Sequence, residues 1–306
     1  MIGASKADSS SARASALIIL IFLISPAWVF GQADEMSRAW NKPVAPFRII
    51  GNLYYVGATE VSLFLITTPQ GHFLIDGGFV ETAPQIERNI ATLGFKVSDI
   101  KFLLISHAHY DHVGGLAELK QKSGAKIVAT APDVDLLSRG GHGDFYFGDQ
   151  LVFPPVHVDQ VIADGQKIEL GGQSLVAYLT PGHTKGNTTW AAKISDGKKT
   201  YDAVVAPQMT TLNYQFVGKE SYPGIAADYE TSFAILKTLP CDIFLAPHGT
   251  VFSLIEKRER LERGEHQNPF IDPDGYKRFV AQTGKLFQDK IEAQKKNLSS
   301  PKPPTH

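Results

Sequence analysis

Apolar residues along this chain recur with two periods, and the switching between them outlines the architecture. In residues 47–50, 53–57, 62–68 and 73–76, short runs rich in β-branched and aromatic residues are bounded by Gly, Pro or Asn, which predicts four strands. Residues 82–93 change period: Ile86, Ile90 and Leu93 share one helical face, and Gly94 supplies the stop. A buried strand is expected at 102–106, a helix at about 114–122 and a strand at 126–129. Residues 138–156 have no period, only glycines and the aromatics Phe145, Tyr146 and Phe147; a loop this long inside a compact domain often borders a site. Strands are predicted again at 167–170, 174–180, 188–194 and 202–206, then a helix at 228–239 and a strand at 242–247.

Strands alternating with helices at this spacing indicate an α/β protein. No break in composition interrupts the pattern, so one domain is expected over residues 34–288. Residues 289–306 are expected to be a polar tail, disordered from the proline-rich stretch 295–306 onward. At the other end, Lys6 and Arg13 precede an apolar stretch, residues 14–30, that closes on Gly31-Gln32-Ala33. Small residues stand at the two positions a signal peptidase reads, which predicts a signal peptide over residues 1–33, cleaved before Asp34. The mature protein is then periplasmic or secreted, with no stable membrane association. The competing reading is an uncleaved anchor, since the apolar run approaches the roughly 18 residues a spanning helix needs.

Composition narrows the chemistry. With 30 Lys and Arg against 31 Asp and Glu, the net charge is -1, and no basic stripe follows a phosphate backbone, so a nucleic-acid partner has no electrostatic support. The single cysteine, Cys241, cannot form an internal disulfide and lies beside the apolar residues 243–245, where a buried, inert thiol is expected. Any metal site must therefore be built from His, Asp and Glu.

Those residues are concentrated in Ser106-His107-Ala108-His109-Tyr110-Asp111-His112, where a buried strand ends and a helix is about to begin. In an extended backbone residues two apart point the same way, so His107, His109 and Asp111 converge, and His112 joins them as the chain turns. A lone histidine is usually a hydrogen-bonded core or surface residue; four metal-competent side chains in six positions are not explained that way. His183, after Thr180-Pro181-Gly182, and His248, after Ala246-Pro247, stand in the same context, at a strand end before a turn. Six ligands suit two metals. Imidazoles with a carboxylate and no thiolate favour zinc, with manganese or iron compatible on ligand type. Three protein ligands per ion leave a position open for water, as in a catalytic site.

The arrangement resembles the metallo-β-lactamase superfamily, and in finer pattern the third subclass of its class B lactamases. The likeness runs from Trp40 to about Phe287 and includes Pro46-Phe47-Arg48-Ile49, Leu74-Ile75-Asp76-Gly77-Gly78, Gly182-His183-Thr184-Lys185-Gly186 and Asn268-Pro269-Phe270. It implies a four-layer αβ/βα sandwich holding two zinc ions, the first on His107, His109 and His183 and the second on Asp111, His112 and His248. It implies hydrolysis of the β-lactam amide by a zinc-bound hydroxide oriented by Asp111, with Tyr214 helping to stabilise the oxyanion. Asp76 is a candidate partner of a ligand histidine. Gln208 and Thr210 take the place of serines that line the site in a well-studied member, which makes them candidate substrate contacts. A small β-lactam is the expected partner, met by a monomer.

Other reactions share this fold. Glyoxalase-II-like thioesterases and acyl-homoserine lactonases bridge their metals with an aspartate; the matching position here falls near Gln208, and Asp202 lies several residues too early. Di-iron oxidoreductases carry glutamate where His109 stands.

Overall fold

The computed structural model describes Glu35 and residues 37–299; the expected leader, its cleavage point and residues 300–306 lie outside the described residues. Residues 47–162 build one seven-stranded sheet: β1 (Phe47–Ile50), β2 (Leu53–Tyr55), β3 (Phe64–Thr68), β4 (Gly71–Ile75), β5 (Ile100–Leu104), β6 (Lys126–Thr130) and β7 (Gln160–Ile162), paired in that order. The first four strands run antiparallel through short turns, whereas β4 to β7 are parallel. Parallel neighbours need crossovers, and α1 (Ala83–Thr92), α3 (Leu116–Ser123) and α4 (Ala131–Ser138) supply them, with the single turn α2 (Tyr110–Val113) ahead of α3.

The second sheet holds β8 (Lys167–Leu170), β9 (Gln173–Leu179), β10 (Thr188–Ser195), β11 (Thr200–Val205) and β12 (Ile243–Leu245), in the order β12-β11-β10-β9-β8. Only β11 and β12 are parallel, and α5 (Ile225–Thr238) connects them; α6 (Leu254–Glu262) and α7 (Pro273–Ser299) complete the chain.

Burial explains the layering. Every residue of β4 is buried, and successive side chains enter different cores: Phe73 and Ile75 join the cluster that includes Trp190, Tyr229 and Phe287, while Leu74 joins Ile86, Ile90 and Leu119 on the helix side. A sheet covered on both faces reads as a continuous apolar run, and two such sheets with outer helices make the αβ/βα sandwich. The sheets are stitched where β5 ends: Trp190 Nε1 donates to Ile105 O (3.0 Å), and Thr188 N donates to Ser106 O (2.7 Å). These bonds fix the segment that carries the histidine cluster.

Most predicted elements are present within a few residues. Four were not anticipated: α4, β7, α6 and α7. The last overturns the expected boundary at residue 288, because α7 continues to Ser299 and buries Phe287 and Ile291; Lys295 therefore lies in a helix. Among the described residues no helix is long and apolar enough to cross a membrane.

Candidate metal centre

Each candidate ligand sits where a strand gives way to a turn. Past β5 the chain stays extended to His109 (φ -105°, ψ 152°), which caps α2. His107 and His109 are therefore presented from extended backbone, and Asp111 and His112 from one helical turn. His183 follows β9, and His248 follows β12. At Gly182 the backbone takes φ +142°, and a Cβ would lie 2.7 Å from the Tyr229 ring, so only glycine brings the chain to His183 by this path.

All six predicted ligands converge and are buried. Candidate donor atoms of His107, His109 and His183 lie within 4.8 Å of one another, and so do those of His107, Asp111 and His112, which makes the two groups adjacent. Asp111 Oδ2, His112 Nε2 and His248 Nε2 form a triangle with edges of 3.0, 3.2 and 3.6 Å. Ligands ~2.1 Å from a tetrahedral ion stand ~3.4 Å apart, so this triangle fits a cation.

Outer partners fix the imidazoles. His183 Nδ1 donates to Thr210 O (3.0 Å), and His112 Nδ1 donates to Asp76 Oδ2 (3.1 Å). His107 Nδ1 lies 3.0 Å from Ser106 Oγ, whose proton goes to Asp76 Oδ2 (2.7 Å), so the hydroxyl accepts from the ring. His248 Nδ1 faces Glu60 Oε1 at 3.6 Å. Nε2 of His107, His183 and His248 is left with its lone pair for a metal, and His112 offers its own once its Nε2 proton is lost. Asp76, expected as the partner of a ligand histidine, serves both groups, and does so from the left-handed region (φ +67°), which aspartate tolerates better than most residues.

Protonation follows burial and neighbouring charge. Desolvation lowers the pKa of His107 and His183 well below the imidazole range, lowers His109, and takes His248 down to about 4. Burial acts the same way on His112, but the carboxylates of Asp111 and Asp76 outweigh it and push its pKa up to about 10. Burial alone would raise Asp111; the charge and hydrogen bond of His112 hold it below the usual carboxylate range instead. Four imidazoles are thus neutral donors at pH 7, while His112 and Asp111 form a charged pair.

Sequence reasoning missed the brace behind the first group. Asp133, at the start of α4, accepts from Ala108 N (3.0 Å), Thr184 Oγ1 (2.9 Å) and Gly186 N (2.8 Å), tying the His107–His109 segment to the His183 turn. Its burial raises its pKa to about 6 against the pull of those three bonds. Glu60 and Trp40 were missed too; Glu60 also accepts from Thr250 Oγ1 (2.6 Å), and the Trp40 ring meets His248 edge-on at 5.2 Å. Nothing in the sequence around these residues signals their roles.

The remaining predicted residues have other surroundings. Tyr214 is fully buried and its hydroxyl donates to His183 O (2.9 Å), which makes it a support for a ligand. Thr210 is exposed at the rim, with Oγ1 3.2 Å from His183 Nδ1. Gln208 is buried, and its Oε1 accepts from Met209 N (3.1 Å). Both line a cavity of about 390 Å³ with Thr250, Arg278 and Thr283. Asp202 pairs with Lys193 (2.7 Å) on the second sheet. Cys241 is half-buried, its thiol facing Ile243 O and its pKa raised by burial.

Comparison with known proteins gives a consistent result. The family model described as the metallo-beta-lactamase superfamily matches residues 56–248. A metallo-β-lactamase with a HARLDQ motif from Cronobacter sakazakii superposes with a TM-score of 0.82 at 45% identity, covering 85% of this chain and 99% of that one. LRA-12, described as a class B3 di-zinc metallo-β-lactamase from an Alaskan soil metagenome, superposes with a TM-score of 0.77 at 38% identity, covering 82% and 96%. Among curated sequences, a hydroxyacylglutathione hydrolase of Acidiphilium cryptum is 32% identical over 91 residues, 30% of this chain and 30% of that protein. The chain spans only about a quarter to a third of the length of such relatives.

Proposed function

The chain belongs to the metallo-β-lactamase superfamily, and on that premise we propose that it hydrolyses the amide bond of β-lactam antibiotics at a di-zinc centre. The observation that carries this reading is the second ligand group. It consists of Asp111, His112 and His248, and Asp202, the aspartate nearest in sequence to the position of a bridging carboxylate, pairs with Lys193 on the second sheet instead. A thioesterase or lactonase of this fold needs that bridge. Full-length similarity to lactamases, against partial similarity to hydroxyacylglutathione hydrolases, points the same way.

Two zinc ions held by these six residues would supply a water acidic enough to ionise near neutral pH and an electrophilic contact for the lactam carbonyl. The protein's own contributions follow from its geometry. Asp111, kept ionised, orients the attacking water, and the bonds to Nδ1 of His107, His112 and His183 keep each Nε2 aimed inward. Phe147, edge-on to His109 at 5.2 Å, and Trp40 against His248 give the centre apolar walls against which a bicyclic substrate can lie. Thr210 at the rim, with Gln208 behind it, is the proposed polar contact for the substrate.

All six ligands come from one chain, so we propose a monomer, and from the leader expected over residues 1–33 an exported one. The test is a panel assay on the zinc-loaded protein: a chromogenic cephalosporin, a carbapenem, an acyl-homoserine lactone and a glutathione thioester. Turnover of the two β-lactams alone supports the proposal. Thioester or lactone turnover without β-lactam turnover refutes it.

A further inference from the structure

The 140–148 segment folds around one carboxylate. Asp144 is buried, its Oδ1 accepts from Tyr146 N (2.8 Å) and Phe147 N (2.7 Å), and its own backbone pairs with Gly148 in both directions (3.1 and 3.0 Å). One oxygen is therefore saturated by the loop itself. The other, Oδ2, is sealed from solvent with no partner, and 3.9 Å away is His109 Nε2, also sealed and also without a partner.

Two complementary buried groups left unpaired are each destabilising, and a movement of about 1 Å by the loop would bring them to hydrogen-bond distance. His109 is also the one ligand histidine whose outer partner is missing from the pattern set by the other four. We propose that Asp144 is the positioning carboxylate of His109. It accepts the Nε2–H, leaves Nδ1 as the lone pair for the first metal, and so couples metal occupancy to the seating of the 140–148 loop.

The coupling follows from the covalent connection. Phe147, whose amide is held by Asp144 Oδ1, lays its ring edge-on to the same imidazole at 5.2 Å. A metal that fixes the His109 ring therefore offers the loop a hydrogen bond and a fixed aromatic surface together. By linkage, seating the loop tightens the metal by the same factor. The inference rests on the metal centre and not on which acyl bond is cut.

Zinc affinity and loop cleavage therefore test it independently of the substrate panel. In Asp144→Asn the side-chain carbonyl can still accept from Tyr146 N and Phe147 N, so the loop keeps its fold. The amide now points a donor at His109 Nε2 and favours the wrong tautomer. We expect competition with a chromophoric chelator to show one of two zinc sites weakened by roughly 10–100-fold, the range for loss of such a partner. Limited proteolysis between residues 140 and 148 is expected to slow when zinc is added to the wild type, and to show no such slowing in Asp144→Asn. Asp144→Ala should lose the zinc affinity and also open the loop in the metal-free protein. Should that variant fail to fold, Asp144→Asn carries the test alone. Wild-type zinc affinity in Asp144→Asn overturns the proposal, as does a wild-type loop whose cleavage rate ignores zinc.

Discussion

Asp133→Asn separates the brace behind the first ligand group from the ligands themselves. In the native protein one oxygen of Asp133 serves Ala108 N and Thr184 Oγ1 and the other serves Gly186 N. Asparagine keeps one acceptor and presents an N–H where Gly186 N also donates. A Cβ on Gly186 would lie only 2.4 Å from the Asp133 carboxyl carbon, so the turn that carries His183 packs directly against this side chain. Hydrogen bonds to a charged group are worth ~1.5–3 kcal/mol each. Burial outweighs them in setting the protonation, raising this carboxyl from its ordinary value to about 6, a net cost to the ionised form of roughly 3 kcal/mol. Loss of the one bond to Gly186 N is expected to cost the metal-free protein roughly 1.5–3 kcal/mol at pH 7.5.

The pH dependence is the sharper signature. A folded-state pKa above the unfolded value of ~3.9 means that the stabilisation is complete below about pH 4 and disappears as pH rises through 6. Asparagine does not titrate there, so the stability gap between wild type and variant should widen by roughly 2 kcal/mol on going from pH 7.5 to pH 4.5. Urea denaturation of the metal-free proteins at the two pH values measures it, with zinc competition at pH 7.5 expected to show affinity reduced roughly tenfold or more. A gap that is constant, or that narrows at the lower pH, refutes the reasoning.

Three further outcomes are expected. In the metal-free protein at pH 8, histidine ring NMR should find one protonated imidazole among the five at the centre, that of His112, whose pKa lies at about 10. Its stabilisation, complete below the unfolded value of ~6.5, is lost as pH rises through 10; five neutral rings at pH 8 would contradict the pairing with Asp111 and Asp76. Tyr214→Phe removes a buried bond to His183 O and should cost ~1 kcal/mol of stability with only a several-fold change in kcat. A fall of roughly 10²–10³ in kcat would instead restore an oxyanion role. Gln294→Ala frees Tyr214 O and Phe216 N, both held at 2.7 Å, and should raise KM severalfold while two zincs remain bound; an unchanged KM would show that α7 does not hold this loop.

What was legible in the chain, and what was not, divides along sequence distance. The ligands of the His107–His112 segment are local: strand alternation followed by one helical turn suffices to aim them, and Asp76 was flagged by its own strand end. The sandwich followed from alternating periods. The helix α4 was missed although Pro132 near its start is a start signal, its eight residues being too few to establish a period; α7 was missed although Tyr276, Phe279, Val280, Phe287 and Ile291 recur at helical spacing, because a polar majority concealed them. Lys290 and Gln294, assigned to the tail, instead grip the loop that carries Tyr214. Asp133, Glu60 and Asp144 act on partners 25, 188 and 35 residues away, and nothing in their own neighbourhoods announces it. Tyr214 illustrates the converse: the resemblance supplied a role toward the oxyanion, and the geometry adds a bond to the backbone of His183.

The central claim is a two-zinc β-lactamase, and stepwise addition of zinc to the chelated protein tests it most directly. Cephalosporin and carbapenem turnover should be absent without metal and should return as zinc is added up to two equivalents, with His183→Ala and His248→Ala each holding only one ion tightly. Turnover that survives chelation, or its absence with two zincs bound, would contradict the account.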